Sequence, residues 1–458
     1  MSELDLSPAV RWQLRIVAVA FFMEMLDATI INTALPSMAL SLGVNPLQMH
    51  SVVVAYILTV AIMLPASGWV ADRFGLRNTL LWAVGLFATG SLCCALSREL
   101  HELVAARVLQ GIGGAMMLPV ARLAVLRLVP RSQLMAAMNL VTIPGLVGPL
   151  LGPPLGGVLV EYASWHWIFL INLPVALIGF IAIWRLMIDG RQPPGRFDWR
   201  GFGLLAMLMA CLTLALEGAS HESETQSSHL LLWGVAVASG LVYLWHARRY
   251  ATPLFSLRLL EHRSFRLGLV GNLLARIGSG ALPFITPLFM QVGLGVSPIW
   301  AGLTMIPIVL GSMGMKTMVV TLVKQLGYRA VLVGASLALS VNMLLFAWAG
   351  LQALYWLLPI LLLLLGMINS LRFSTMNNLT LKDLPDELAS AGNSLLSMVM
   401  QLSMSLGVTL VGYLLSLHVR TAMASGDALH DAFMQTYLWL GLVLAAPALV
   451  FMRLPRRS

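Results

Sequence analysis

The chain has 458 residues, of which 59% are hydrophobic and only 10% are charged. This balance excludes an ordinary soluble domain, in which about 25% of residues are charged. The net charge of +9 would suggest nucleic acid in a soluble chain; here the cations separate long apolar stretches, so we expect a lipid bilayer as partner and no nucleic acid.

Windows of roughly 20 residues, the length that crosses the hydrocarbon core, divide the sequence into about 14 spans. In lipid only helices and closed barrels satisfy every backbone group, and these stretches are too long for barrel strands. The predicted fold class is therefore an all-α polytopic membrane protein. The predicted spans are 12–35, 48–70, 79–97, 102–126, 134–159, 167–186, 201–217, 230–247, 265–292, 298–323, 329–349, 353–372, 393–416 and 433–451.

Two polar segments divide these spans into groups. Residues 190–195 are rich in Gly and Pro, and residues 253–266 are rich in cations. The sequence thus predicts a six-helix bundle at 1–190, an inserted helix pair at 191–260 and a second six-helix bundle at 261–458. Most cations lie on alternate loops, so the positive-inside rule predicts a multi-pass protein with both termini in the cytoplasm.

The first span carries two carboxyls, Glu24 and Asp27. Their spacing of three places them on one helix face, separated by about 4.5 Å of rise. Ionisable groups inside a bilayer are costly, and a carboxyl held away from water can exchange a proton near physiological pH. The pattern favours proton coupling; the alternative is a structural ion pair that locks helices together.

The loop between spans 2 and 3 combines an acid, two cations and two glycines. Charges at helix ends can form a latch that opens as helices rock, although orientation alone also explains the arginines. The predicted cytoplasmic gate consists of Gly68, Asp72, Arg73, Gly75 and Arg77.

Span 4 contains Arg107, followed by Gln110 and Gly111. An arginine at this depth must face the bundle interior, where it would pair with a carboxylate or line a polar cavity. We expect Arg107 to pair with the span 1 carboxyls and tune their proton affinity. The alternatives are a static pair and a side chain that reaches the outer interface.

Span 5 is rich in small residues and prolines. Small residues four positions apart let helices pack backbone to backbone, while prolines remove helix hydrogen bonds and bend the axis. Such a helix suits a hinge or a sliding surface, and equally a tightly packed kinked helix. The residues are Gly148, Gly152, Pro153, Gly156 and Gly157.

Further polar side chains lie inside apolar spans and are candidates for a substrate cavity. Each could instead make an ordinary interhelical hydrogen bond. These candidates are Asn32, Gln110, Asn272, Arg276, Gln291 and Asn369.

The motifs resemble the major facilitator superfamily, specifically its 14-span drug:proton antiporters. The loop 2–3 residues, the Arg107 to Gly111 segment and the span 5 glycines match superfamily signatures, and residues 26–36 look like the span 1 motif of the 14-span branch. The resemblance implies two six-helix bundles plus two extra helices in a bacterial inner (plasma) membrane. It also implies Asp27 as the coupling carboxyl, Arg107 as its regulator, Asp72 with Arg73 as the latch, span 5 as the antiporter motif, and a monomer.

Two places depart from that pattern. The loop between spans 10 and 11, from Lys324 to Arg329, keeps Gly327 and the cations but lacks the acid. His166 stands where the resemblance predicts an arginine. Only the first half therefore carries a complete latch motif.

These features predict a proton-coupled exporter of small, largely apolar or amphipathic molecules, working by alternating access. The alternatives are a proton-coupled symporter and an exporter of one metabolite. The sequence has no Gly-x-x-x-x-Gly-Lys-Ser/Thr loop for ATP and no His-Glu-x-x-His metal motif, so we expect neither an enzyme nor a metal site. Protons are the expected coupling ion, with no cofactor.

Overall fold

The computed structural model of the chain describes residues 8–130, 133–191, 193, 195–218, 226–425 and 429–455. Among these residues, twelve helices are long and apolar enough to cross a membrane, and two more, Pro8–Ile30 and Leu134–Tyr162, have 23 and 29 residues. A crossing needs roughly 20. The resulting total of fourteen, and the all-α class, confirm the prediction.

We label these fourteen helices in chain order. They are α1 Pro8–Ile30, α2 Pro46–Phe74, α3 Leu76–Leu96, α4 Leu100–Leu128, α5 Leu134–Tyr162, α6 Trp167–Leu186, α7 Trp199–Glu217, α8 His229–Arg249, α9 Arg263–Gly293, α10 Pro298–Lys316, α11 Val319–Leu351, α12 Tyr355–Leu381, α13 Glu387–Ala422 and α14 Leu429–Phe451.

The chain packs into two compact units. One unit holds α1 to α6 together with Ser297–Leu303, and the other holds Asp198–Val296 and Thr304–Ser458. The three-part division at 190 and 260 stays a prediction, since the packing separates two units rather than three.

The same pattern of helix neighbours occurs in each unit. In the first, α1 packs against α4, α5 and α6, while α4 packs against α2 and α3, and α3 against α6. In the second, α9 packs against α12, α13 and α14, while α12 packs against α10 and α11, and α11 against α14. The six pairings recur in register, as expected for an internal repeat. Outside this pattern, α7 and α8 pack against each other, and α7 also contacts α13.

Two glycines mark equivalent turns in the repeats. Gly75 separates α2 from α3 with a φ of 87° and a ψ of 157°. Gly327 forms a kink within α11 with a φ of 78° and a ψ of 160°. Side chains disfavour positive φ, so both turns require glycine. The loop that lacks the acid therefore keeps the backbone geometry of the complete one.

Candidate functional site

A buried ion pair lies inside the first unit. Asp27 of α1 and Arg107 of α4 are each only 1% exposed, and the Nη1 atom of Arg107 donates to the Oδ2 atom of Asp27 at 2.8 Å. Removing both charges from water is costly, so such a pair needs further hydrogen bonds to its remaining lone pairs.

Two neutral amides supply such bonds to Asp27, and a hydroxyl holds both amides in place. Gln110 of α4 and Asn172 of α6 each donate an amide N–H to the Oδ1 atom of Asp27, at 2.9 and 2.8 Å. The hydroxyl of Ser91, on α3, accepts from the same two amides at 2.8 and 3.3 Å. The Asp27 carboxylate thus accepts three donors from two neighbouring helices. Asn172 and Ser91 were missed at the sequence level, although each is a polar residue inside an apolar span.

Arg107 makes two further contacts, one with Gln110 and one with Tyr56. Its Nη1 atom donates to the Oε1 atom of Gln110 at 2.5 Å. Its guanidinium carbon lies 4.2 Å from the ring centroid of Tyr56 on α2, which is a favourable cation–π distance. Helix α2 therefore contributes to a cluster otherwise built by α1, α3, α4 and α6.

Glu24 lies on α1, one turn before Asp27, and has different surroundings. It is 4% exposed, and its Oε2 atom has no hydrogen-bond partner among the described residues. The cation that acts on it most strongly is Arg122 of α4 rather than Arg107. The two carboxyls therefore differ, since Asp27 is fully hydrogen-bonded and Glu24 keeps an open oxygen.

Helix α5 packs against α1 on both sides of Asp27. A Cβ atom on Gly148 would lie 2.8 Å from the Leu26 nitrogen, and one on Gly156 would lie 2.6 Å from the Ile30 oxygen. A Cβ atom on Gly152 would overlap the Thr29 hydroxyl. Since real side chains do not approach this closely, the glycines are required for the backbone contact.

The other face of the α5 motif packs against residues 297–303. A Cβ atom on Gly157 would lie 2.5 Å from the Pro298 oxygen. The carbonyl of Pro153 lies against Gly302, with no space for a side chain there. The five motif residues thus supply two separate close contacts rather than one.

The predicted latch residues lie at the junction of α2 and α3. Asp72 forms its ion pair with Arg127 at the end of α4, not with its sequence neighbour Arg73. Arg127 also donates to the Gly190 carbonyl at 3.0 Å. The guanidinium carbon of Arg73 instead lies 5.7 Å from the ring centroid of Trp69.

The remaining gate residues contribute differently. The Nε atom of Arg77 is buried without a hydrogen-bond partner among the described residues. Gly75 lies against the side chain of Asp189, while Gly68 has open space where a Cβ atom would stand. Of the two glycines, only Gly75 is required by its surroundings.

We expect Asp72 and Arg127 to be energetically coupled. In a double-mutant cycle with Asp72→Asn and Arg127→Gln, each single change should lower the free energy of unfolding, and the double change should cost less than their sum by about 0.5–3 kcal/mol, as residues in contact do. The measurement is unfolding of purified protein in detergent. The cycle of Asp72→Asn with Arg73→Gln is the matched control, and stronger coupling there than with Arg127 would contradict the assignment.

The other cavity candidates bond within or between helices. Asn32 donates to the Thr29 carbonyl at 3.3 Å, and Gln291 to the Pro287 carbonyl at 3.5 Å. Asn272 donates to the Gly268 carbonyl at 3.1 Å and to the Thr380 hydroxyl at 3.4 Å. Asn369 is different, because its Oδ1 atom accepts from Arg372 at 3.2 Å.

Arg372 is a third residue that the sequence prediction missed. The predicted span ended at residue 372, whereas α12 continues to Leu381. Arg372 is 0% exposed and lies near Arg276 of α9. The second unit therefore contains two neighbouring cations, one of them fully buried, where one had been predicted.

His166 stands in the short loop before α6. Its ring stacks on Trp165 with 3.8 Å between centroids, and partial burial lowers the pKa of His166 below its usual range. The imidazole is therefore neutral at pH 7, so it does not replace the positive charge of the arginine expected at this place.

The first comparison is with known sequences. Residues 17–408 match the Major Facilitator Superfamily. The chain is 60% identical over 453 residues to the "Putative multidrug resistance protein MdtD" of Cronobacter sakazakii, covering 98% of this chain and 96% of that one. It is 59% identical over 452 residues, with the same coverage, to the protein of that name from Klebsiella pneumoniae strain 342.

The second comparison is with solved structures. A D-xylose-proton symporter has the same fold with a TM-score of 0.69 at 14% identity, covering 98% of each chain. A POT family transporter in complex with a thioalcohol conjugated peptide gives the same TM-score at 16% identity, covering 96% of this chain and 95% of that one. These distant structures share the fold, and the sequence matches extend over almost the whole length. The chain therefore belongs to the Major Facilitator Superfamily.

Proposed function

We propose that the chain exports small, largely apolar or amphipathic compounds from a bacterial cell in exchange for protons. The observation that carries this proposal is Asp27, a carboxyl withdrawn from water and held by Arg107, Gln110 and Asn172. A group with this environment binds and releases a proton with a large change in its local interactions. The relatives named as multidrug resistance proteins support drugs as one class of substrate.

Coupling would follow from competition between protonation and substrate binding. An ionised Asp27 favours the hydrogen-bonded arrangement described above, and a protonated one favours any arrangement with fewer donors directed at it. If the substrate binds better to one helix arrangement and the proton binds better to the second, binding of the proton releases the substrate and binding of the substrate releases the proton. Glu24, with its unpartnered oxygen, is the proposed second carboxyl, and Arg107 is the proposed regulator of Asp27.

The remaining sequence assignments are part of this proposal. The α5 glycines would control exchange, the Asp72 region would form the cytoplasmic gate, and the polar candidates already named would line the cavity. The recurring helix pairings support two bundles at 1–190 and 261–458 with an inserted pair at 191–260. The protein would act as a monomer without ATP and with both termini in the cytoplasm; residues 1–7 and 456–458 lie outside the described residues.

A proton-coupled symporter is the second candidate, because one structure with this fold is a D-xylose-proton symporter. Everted membrane vesicles with an acidified lumen separate the two directions. We expect an exported dye, added outside, to release protons from the lumen, which restores the fluorescence of a quenched pH indicator. A symporter would instead carry protons into the lumen with the dye, so further quenching would contradict export by antiport. Vesicles from cells that lack the chain are the control.

The substrate search uses the same vesicles. A panel of amphipathic dyes with positive, zero and negative charge would be tested, together with accumulation in a host that lacks its own pumps. At least one compound should accumulate less when the chain is present. A normal level of every compound, with the protein inserted, would contradict the proposed substrate class.

A further inference from the structure

Two arginines lie together inside the second unit. Arg276 comes from α9 and Arg372 from α12, and the ring of Phe373 lies beside both. The guanidinium carbons of Arg276 and Arg372 are 4.1 and 5.3 Å from the centroid of that ring. Arg372 is fully buried, whereas Arg276 keeps some exposed surface.

The neighbours of Arg372 are neutral acceptors. Its Nη2 atom donates to the Ser279 hydroxyl at 2.5 Å, to the Ala275 carbonyl at 3.2 Å and to the Oδ1 atom of Asn369 at 3.2 Å. Its Nε and Nη1 atoms are buried and have no hydrogen-bond partner among the described residues. A buried guanidinium normally directs all five N–H groups to acceptors, so this one still has donors available.

Arg276 is also incompletely satisfied. Its Nη1 atom contacts the sulfur of Met404 at 3.9 Å, which is a weak acceptor, and its Nε atom is buried without a partner in the described part of the chain. The two arginines together thus present several N–H donors around Phe373.

In the part of the chain that the structure describes, no counter-charge accompanies these cations. The sequence has no Asp or Glu between residues 262 and 382, nor between 388 and 426, so α9 to α12 carry no acid and α13 carries only the exposed Glu387. Across the described residues, no carboxylate forms an ion pair with Arg276 or Arg372, and the charge that acts on Arg372 is the repulsive one of Arg276. Two unpaired cations in a low-dielectric interior are strongly unfavourable.

The buried arginine of the first repeat has an acidic partner. There α1 and α4 carry an acid and a base, Asp27 and Arg107, in direct contact. In the second repeat α9 and α12, which occupy the corresponding places, carry two bases. Among the described residues, nothing in the second unit supplies the matching negative charge.

We propose that Arg276 and Arg372 form a binding site for the carboxylate of a small organic anion, with Ser279 and Asn369 orienting the Arg372 guanidinium. Two guanidiniums with free N–H groups match the paired oxygens of a carboxylate. This inference rests on the proposed function, and it adds that transported compounds include organic anions, whose ring or chain would pack near Phe373.

The binding test uses the purified full-length protein in nanodiscs made of zwitterionic lipid. Benzoate and succinate are the carboxylate probes, with benzamide and succinamide as neutral counterparts of the same shape. The melting midpoint is followed by tryptophan fluorescence. We expect at least one carboxylate to raise the midpoint in a saturable way and its amide to leave the midpoint unchanged. Equal effects of acid and amide, or no effect of either acid, would overturn the site.

Substitution of the arginines separates a binding role from a purely structural one, because the melting midpoint and carboxylate binding are measured on the same variants. Arg276→Gln should raise the midpoint in the absence of anion, since it removes one of two repelling charges, and should weaken carboxylate binding by about tenfold or more. Arg266→Gln, at an exposed position on the same helix, is the matched control and should change neither value. A lower midpoint with unchanged carboxylate binding in Arg276→Gln would overturn the proposal.

Arg372→Lys, which keeps the charge, should bind carboxylate more weakly than wild type but better than Arg372→Gln.

Anionic lipid is the other source of a negative group. Nanodiscs that contain phosphatidylglycerol test this source: the carboxylate shift should persist in them. Stabilisation by phosphatidylglycerol without any shift from the small acids would contradict the site as proposed. The binding measurements need no proton gradient and no dye, so they do not depend on exchange through Asp27. A failed anion site would therefore leave proton exchange through Asp27 intact, and failed proton exchange would leave anion binding intact.

Discussion

Asp27→Asn is expected to abolish proton-coupled exchange, by roughly a hundredfold or more, while the chain still inserts into the membrane. The amide keeps the size of the carboxyl and can still accept a hydrogen bond, but it cannot take up and release a proton. The measurement is dye-driven proton release from everted vesicles that contain equal amounts of inserted protein. Undiminished exchange by this variant would remove Asp27 from the mechanism.

The same substitution should lower stability, because it leaves the Arg107 charge buried without its counter-charge. Breaking a buried pair in this way costs about 3–5 kcal/mol. The double variant Asp27→Asn with Arg107→Gln should recover part of that loss and remain inactive. A double variant less stable than Asp27→Asn alone would contradict the assigned pair.

Glu99→Gln is the control for charge removal. Glu99 lies at the start of α4, is well exposed and contacts only the exposed His101 among the ion pairs of the described residues. Its neutralisation should change neither exchange nor the melting midpoint beyond the scatter of wild type. Loss of exchange in this control would show that the assay reports general charge effects.

Gly152→Leu should disrupt the first unit. The new side chain would overlap the Thr29 hydroxyl and separate α5 from α1 next to Asp27. Overpacking of this kind costs about 1–3 kcal/mol, and a shift of α1 would also misplace the carboxyl that α4 and α6 hold. We expect a lower melting midpoint and loss of exchange out of proportion to the loss of folded protein.

Gly179→Leu is the matched control. Gly179 also lies in a membrane helix, α6, but nothing stands within 4 Å of a Cβ atom at that position. The added leucine should therefore be accommodated without loss of activity. If both substitutions lowered the melting midpoint and exchange equally, any leucine added to a membrane span would have this effect. The result would then not support a specific role for the contact between α5 and α1.

Much of this architecture is predictable from local sequence. The number of spans follows from hydropathy, and the Asp27 to Arg107 pair follows from the rule that charges inside a bilayer need partners. The partners Ser91 and Asn172 do not follow from it, because single polar residues in a span commonly bond their own helix. Only the packing of α6 against α1 and α3, and of α3 against α4, selects these two.

Charged residues near predicted helix ends were the weakest part of the prediction. Asp72 and Arg73 are adjacent in sequence, and adjacent residues on a helix do not face each other, so the true partner of Asp72 comes from α4. Arg372 was not singled out, because the predicted span ended at that residue. A buried cation without an acid among the described residues departs from the rule that charges inside a bilayer need partners, and such departures are expected at functional sites.

The carboxylate of Asp27 accepts Arg107 and Gln110 from one neighbouring helix and Asn172 from another. Attachment of one hydrogen ion would turn an acceptor oxygen into a donor and deprive at least one of these N–H groups of its acceptor. The packing of three helices would respond to a single binding event. Occupancy of the carboxylate and the arrangement of the helices would then change together, so a proton gradient could drive helix movement.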